Sequence, residues 1–471
     1  MDLPRVTICA NRGPIAFRTE DSKLIAAPTG PNGLIPVVLP ALQAAGGHWV
    51  YAVSSDDDRA ANAAGIVDAE AERLLGKNVS LVAIDIAEKV RRLHYEMISV
   101  NHLAMAFHYL FPLPDEPLFP GEFDEAWSAY RSVNDAFASA LAQTPADQPV
   151  CIQDYHLLLL PTAFRNLGER SRRKILYFHH VAWCEPDYFG VLPADCRVEI
   201  LESLERADVL GFHSERWARA YLACRERFLP SRSASAPKIV VAPATIRATE
   251  IAHGFDVADR MAELLRTAAG RWTLVRVDRA DLWKNALRGF QAFGELLRRR
   301  PELAGKLWFL AVLSPTREWV PAYRDYLQRC RRAVEDINRR FAGPHDAKPV
   351  DLYVSQAKGP ENRTTALAAL RMADAVLINP IFDGLNIVGK EALAVSQRSP
   401  VLIASENCGV FDEAPNAMVR INPFSASDTA RGIEAAYDMA APLRQRMAAL
   451  ATEQLLRWEP PDWLRHQLDA I

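Results

Sequence analysis

Short apolar runs rich in β-branched residues alternate with longer amphipathic runs along all 471 residues, and this alternation leaves few folds open. The spacing predicts strands at residues 6–10, 49–53, 150–153, 174–178, 209–212 and 239–242. A second series follows at 272–276, 307–311, 351–354, 375–378 and 400–403. Helical periods lie between them, for example at 286–300 and 323–341. Strand–helix alternation favours parallel sheets covered by helices on both faces. Two series of similar length imply an α/β chain of two doubly wound domains, residues 1–248 and 249–456. After the proline break in Trp458-Glu459-Pro460-Pro461, a short amphipathic helix within about 457–471 is expected to cross back to the first domain. Ligands of open α/β sheets bind beyond the carboxyl ends of the strands, so the two domains are expected to face a central cleft.

Length alone gives a prior of about two or three domains, each able to bury its own core. A net charge of −3 gives no electrostatic case for nucleic acid or an anionic membrane as the main partner. Seven scattered cysteines without a C-x-x-C pair argue against a disulfide framework or zinc site and fit a reducing cytoplasm. Met1-Asp2-Leu3-Pro4-Arg5 lacks a basic flank before a long apolar run, so no signal peptide is expected, and no apolar stretch approaches a membrane span.

The most telling local motif is Asp383-Gly384-Leu385-Asn386, which follows the expected strand 375–378 and opens a helix. Gly384 permits a tight turn, so that peptide N–H groups and a helix N-terminus can face an anion. Asp383 can accept hydrogen bonds from hydroxyls, and Glu391, about one turn into the helix, can reach a ribose diol. Together these groups suit a nucleotide sugar; alone, the motif is equally a capped helix. Arg276 and Lys284, around the first strand of the second series, supply two cations where a diphosphate leaving group needs charge stabilisation. A loop neutralised by Asp278 and Asp281 is the plainer reading of the same residues.

In the first series, Asn11-Arg12-Gly13 stands at a strand end, where Arg12 could anchor a phosphate with a forked contact. A glycine loop, Pro28 to Gly33, precedes an apolar segment and either approaches a ligand or is a surface loop. Asp154-Tyr155-His156 and His179-His180 follow neighbouring strands, an arrangement that can hold sugar hydroxyls. The run Asp56-Asp57-Asp58 looks like a D-x-D metal motif, but an exposed turn explains it and no histidine accompanies it. No metal is expected. Common hydrolase and P-loop signatures are missing from the sequence.

Taken in order, these pieces resemble the trehalose-6-phosphate synthase family of retaining glycosyltransferases. The matches are Asn11-Arg12, Gly33, Tyr95 with His108, Asp154 to His156, His180, Gly211 to Glu215, Arg276 with Lys284, Ser314 to Arg317, Ile337-Asn338, Asp383 to Glu391, and Asn422 to Phe424. The resemblance implies a GT-B architecture of two Rossmann-like domains, acceptor mainly on the first and nucleotide donor mainly on the second. It places Arg12, Tyr95 and Arg317 on an acceptor phosphate and Asp154 on an acceptor hydroxyl near the reacting atom. Arg276 and Lys284 would grip the donor diphosphate, with Gly33 on the donor side. His180, Asp383 and the backbone of Gly384, Leu385 and Asn386 would hold the donor ring, and Glu391 the ribose. The catalytic set it implies is Asp154, His180, Arg276 and Lys284. The co-substrate is a UDP- or GDP-linked sugar, the acceptor is phosphorylated, and no cofactor or metal is needed. Oligomeric state stays open, a homo-oligomer included.

The sequence departs from the family in four places. A tryptophan usual nine residues after the tyrosine is Ala104 here, and a Pro-aromatic-Pro stretch reads Ala182-Trp183-Cys184. The family's Arg–Lys pair is five residues apart, as R-x-D-Y-x-K-G, whereas Arg276 and Lys284 are eight apart. That D-R-x-D-x-x-K-N loop resembles the branch containing validoxylamine A 7′-phosphate synthase, a pseudoglycosyltransferase that joins cyclitols through nitrogen. Gly389 stands where alanine is common. Ordinary O-glycosyl transfer is the leading expectation and C–N-forming transfer the alternative. A non-catalytic sugar-phosphate sensor and a GT-B epimerase are more distant readings.

Overall fold

The computed structural model describes residues 3–29, 33–229, 236–342, 347–354 and 360–471. Part of the glycine loop, residues 30–32, lies outside the described residues. The chain forms two compact units, Met1–Ala244 with Pro460–Ile471, and Thr245–Glu459. The boundaries expected from sequence were 248 and 456.

The first unit carries a seven-stranded sheet in the order β5-β4-β1-β6-β7-β8-β9. Its strands are Val6–Cys9 (β1), Gly47–Ala52 (β4), Val79–Ile84 (β5), Val150–Gln153 (β6), Ile175–His179 (β7), Val209–Phe212 (β8) and Lys238–Val241 (β9). Every pairing in it is parallel. Strands covered on both faces read as unbroken apolar runs, and β1, β6, β7 and β8 are buried at every position. Strand β5 was not foreseen, because its residues past Leu81 are only partly buried and its pattern is weak.

A hairpin of Ile15–Glu20 (β2) and Lys23–Pro28 (β3) was also missed. Its two-residue turn is Asp21-Ser22, both with positive φ, and contains none of the glycine that usually announces such a turn. The acidic run serves this hairpin. Asp58 accepts from the Phe17 N–H at 2.9 Å, Asp57 accepts from Thr19, and Ser55 caps the helix Asp56–Ala63. The proline-started helix Pro460–Leu468 belongs to this unit, where Trp463 donates to the Ala242 carbonyl at 3.0 Å.

The second unit carries a six-stranded parallel sheet in the order β12-β11-β10-β13-β14-β15. Its strands are Trp272–Arg279 (β10), Leu307–Ser314 (β11), Val350–Val354 (β12), Ala375–Ile378 (β13), Val401–Ser405 (β14) and Val419–Ile421 (β15). The helix Ala286–Arg299 buries Phe290, Phe293, Leu296 and Leu297 along one stripe and ends in arginines before Pro301. Helix Pro321–Arg340 starts on a proline whose missing N–H costs nothing there. Strand β15, three residues long, was too short to show in the sequence.

Strand order reverses once in each sheet: at β1 between β4 and β6, and at β10 between β11 and β13. In an open parallel sheet, that reversal leaves a crevice at the carboxyl ends of the two flanking strands. The residues that follow β1 and β6, and β10 and β13, are therefore where ligand chemistry is to be sought.

Candidate active site

In the second unit, Lys284 donates to Asp383 Oδ2 at 2.5 Å and lies 3.9 Å from Asp278 Oδ1. Burial works against the Lys284 charge, but Asp383 and Asp278 together outweigh it and hold the ammonium above its ordinary pKa. Burial raises the Asp278 pKa, against the pull of Arg276 and Lys284. Asn386, with φ 73°, donates to Asp383 Oδ2 at 3.3 Å and accepts from the Val388 N–H at 3.1 Å. One asparagine thus orders both the acid and the start of the helix Val388–Val395. The Leu385 carbonyl accepts from the Val410 N–H, and the Gly409 N–H reaches the Asp383 carbonyl, which pins the 383–386 backbone. Glu391 is 3 % exposed and pairs with Arg363 at 2.7 Å.

The structure corrects the reading of Arg276. Its side chain is wholly buried and turned into the unit: it donates to the Lys284 carbonyl and Asn379 Oδ1, and pairs with Asp278 at 2.9 Å. A guanidinium so enclosed holds the loop that carries Lys284; it is not presented to a diphosphate. Gly289 accommodates it, since a Cβ there would stand 2.8 Å from Arg276 Nη1.

The cation at the strand end is Arg279, with 39 % of its side chain exposed and Asp281 at 2.6 Å. Sequence reading passed it over, although Arg279 to Lys284 has the five-residue spacing of the family motif. The loop is therefore not lengthened, and its apparent extension ceases to be a mark of the pseudoglycosyltransferase branch. Asp281, fully buried, also pairs with Arg317 at 2.9 Å. Arg317, at φ 50°, stands over the Trp283 ring, its guanidinium carbon 5.1 Å from the ring centre. Its side chain is 8 % exposed, so it is more enclosed than a surface phosphate ligand.

In the first unit, three of the four expected acceptor residues, Arg12, Tyr95 and Asp154, come together; the fourth, Arg317, belongs to the second unit. Exposed Arg12 follows β1, its backbone carbonyl held by the Trp49 indole at 3.1 Å and its Nη2 on the Tyr95 hydroxyl at 3.1 Å. Tyr95 stacks on His156, centroids 5.8 Å apart, and His156 Nδ1 lies 4.0 Å from Asp154 Oδ2. Asp154 Oδ1 accepts the His180 backbone N–H at 3.2 Å. Tyr95 belongs to a π-helical stretch, Leu93–Ala104, a rare backbone form that recurs at functional sites. Ala104, at its end, is 1 % exposed and so forms no open wall. Asp154 has φ 72° and ψ 169°, a region that essentially only glycine occupies without strain. Such strain persists where the side chain at that point matters more than the backbone cost.

His180 is buried, and burial holds its imidazole well below the ordinary histidine pKa, aided by His213 and His179. Burial therefore favours the neutral ring over the imidazolium. Gly211 serves its wall: a Cβ there would sit 2.2 Å from Phe178, which packs on His180 with centroids 4.7 Å apart. Gly33 has φ 69° and stands just before the helix Ile35–Ala45. A Cβ at Gly33 would meet no heavy atom within 4 Å among the described residues. Among the described residues, no group of three His, Cys, Asp or Glu side chains is placed to hold a metal ion. Nor is any helix among them long and apolar enough to cross a membrane.

Two parallel sheets, each with charged residues following the strands at its reversal point, are the elements of the GT-B fold. The chain belongs to glycosyltransferase family 20, whose sequence profile matches residues 4–471. It is 28% identical over 451 residues to alpha,alpha-trehalose-phosphate synthase [UDP-forming] A of Dictyostelium discoideum, covering 91% of this chain and 57% of that protein. Thus the chain spans little more than half the length of that relative. It is 26% identical to the validamine 7-phosphate valienyltransferase of Streptomyces hygroscopicus subsp. jinggangensis, over 90% of this chain and 85% of the relative. Among solved structures, the E. coli trehalose-6-phosphate protein bound with UDP-2-fluoro glucose is similar, with a TM-score of 0.81 and 24% identity. That match covers 99% of this chain and 98% of the other.

Proposed function

We propose that this chain transfers a glucosyl or glucosyl-like ring from a UDP-linked donor to a hydroxyl of a phosphorylated sugar, in the manner of a trehalose-6-phosphate synthase. The observation that carries the reading is the cluster at the β10/β13 reversal, where Lys284, Asp383 and Asn386 meet beside Arg279. Lys284 and Arg279 are the cations for the diphosphate, and Arg276 anchors their loop. Asp383 is positioned to accept ring hydroxyls, and Lys284, its present partner, moves its charge toward phosphate when a donor arrives. Glu391 takes the ribose, and Arg363 holds the carboxylate in place at 2.7 Å.

Acceptor recognition falls to the first unit. Arg12 and Tyr95 take the phosphate, and Asp154 a hydroxyl close to the reacting oxygen. In the transfer, the bond from the anomeric carbon to the diphosphate oxygen breaks and a bond to the acceptor oxygen forms. The acceptor proton passes to the departing phosphate on the same face, giving retention. The cations stabilise the developing phosphate charge, so neither metal nor cofactor is required. UDP, not GDP, is the nucleotide we assign, because the synthase relative is UDP-forming and the similar structure is bound with UDP-2-fluoro glucose. Seven free, buried cysteines fit a cytoplasmic enzyme.

Incubation with UDP-glucose or GDP-glucose and glucose 6-phosphate, analysed by product mass, tests the reading. A disaccharide phosphate from UDP-glucose is the expected outcome. Equal turnover with unphosphorylated glucose would count against the acceptor assignment. The valienyltransferase relative supports a second reading, C–N joining of cyclitols. Product from GDP-valienol and validamine 7-phosphate, with none from the sugars, would establish it instead.

A further inference from the structure

Gln153, the last residue of β6, is 1 % exposed, and its side-chain oxygen lies 2.8 Å from His180 Nε2. A carboxamide oxygen only accepts, so the imidazole must carry its proton on Nε2. Its second nitrogen, Nδ1, is then bare. Aromatic neighbours hold the ring on its other sides. Phe178, His213 and Trp463 wall it, with centroids at 4.7, 5.1 and 6.0 Å. His213 is itself committed through Nδ1, which accepts the Ala244 N–H at 3.2 Å. The nearby carboxylate, Asp154, accepts the His180 backbone N–H at 3.2 Å.

We infer that Gln153 is a positioning residue that locks His180 in one neutral tautomer, so that His180 Nδ1 serves as a hydrogen-bond acceptor selecting a ring hydroxyl of the substrate. This rests on the functional reading above for the identity of the ring, though not for the state of the imidazole. It also states a selectivity. A substrate that presents a hydroxyl to Nδ1 is bound, and one that presents fluorine or a bare methylene there loses the bond.

The test is long-range proton–nitrogen NMR of the full-length chain labelled at histidine nitrogens, with the His180→Phe variant identifying the signals. The wild type is expected to show the Nε2-protonated neutral form near neutral pH. Gln153→Leu should give mixed tautomers, and kcat/KM for transfer from UDP-glucose to glucose 6-phosphate should fall about tenfold, the scale of one lost hydrogen bond. Gln153→Glu, which still accepts from Nε2–H, should restore the tautomer and recover most of that rate. A wild-type proton on Nδ1, or a Gln153→Leu spectrum identical to wild type, overturns the inference. So does a shifted tautomer with unchanged kcat/KM. If Gln153→Leu does not fold by circular dichroism, the wild-type and Gln153→Glu spectra decide the tautomer. The spectra need no substrate, so absence of product from UDP-glucose would sink the functional reading separately.

Discussion

Two arginines three positions apart on one strand have opposite fates. Arg276 is sealed in the unit and Arg279 reaches its surface. Side chains on a strand alternate faces, so this pair should diverge, and counting residues to Lys284 could have chosen between them. Replacing Arg279 or Lys284 with alanine should lower kcat by roughly thirtyfold to nearly a thousandfold, since such charge stabilisation is worth about 2–4 kcal/mol. Arg276→Ala should instead strike the fold. It leaves buried Asp278 with only the more distant Lys284, 3.9 Å away, and the loss should reach about 3 kcal/mol, read as a lower denaturant midpoint. Equal stability of Arg276→Ala and wild type would refute the anchoring role. Asp154 gives a second test. Asp154→Gly and Asp154→Ala should both lose acceptor use, yet the glycine variant should be more stable by about 1–3 kcal/mol because φ 72° no longer strains it. Matching stabilities would show that the backbone there is relaxed.

Among the elements, the helix Pro460–Leu468 matters beyond its length, since it supplies Trp463 to the wall of His180. Its sequence shows a proline start and an amphipathic pattern, which is why the helix was legible. Its return to the first unit was expected too; the residues it packs against were not legible, because periodicity marks an apolar face and says nothing of the partner side chains. Trp463 is 1 % exposed and bonded to the Ala242 carbonyl. Trp463→Ala should therefore destabilise the protein by about 3–5 kcal/mol. Trp463→Phe, which keeps most of the volume, should cost less in stability. A Trp463→Ala midpoint equal to wild type would disprove this packing role. The π-helical stretch Leu93–Ala104 lay beyond sequence reading for another reason: its apolar residues follow no period that separates it from an α-helix.

For the molecule as a whole, buried histidines set the response to acid. Burial lowers His94 to about 4 and His179 to about 3, against an ordinary value near 6.5. Between those values the unfolded chain binds more protons than the folded one, so stability rises with pH and is lost on acidification. From pH 8 to pH 5 each of the two should remove about 2 kcal/mol. Denaturation midpoints across that range check the sign; a midpoint that rises toward pH 5 would exclude neutral burial of these rings.

From the order of apolar runs alone came the class of fold, since a chain repeating strand and helix can bury its strands only in covered parallel sheets. The same order brought the polar residues to strand ends, and Arg12, Asp154, His180 and Asp383 were found there because sequence position and sheet end coincide. Burial and partner choice belonged to the tertiary structure. Whether a charge faces solvent or an interior carboxylate depends on residues a hundred positions away, as Asn379 lies from Arg276. The spacing to Lys284 already favoured Arg279, but that Arg276 is sealed onto Asn379 and Asp278 was visible only in the folded chain.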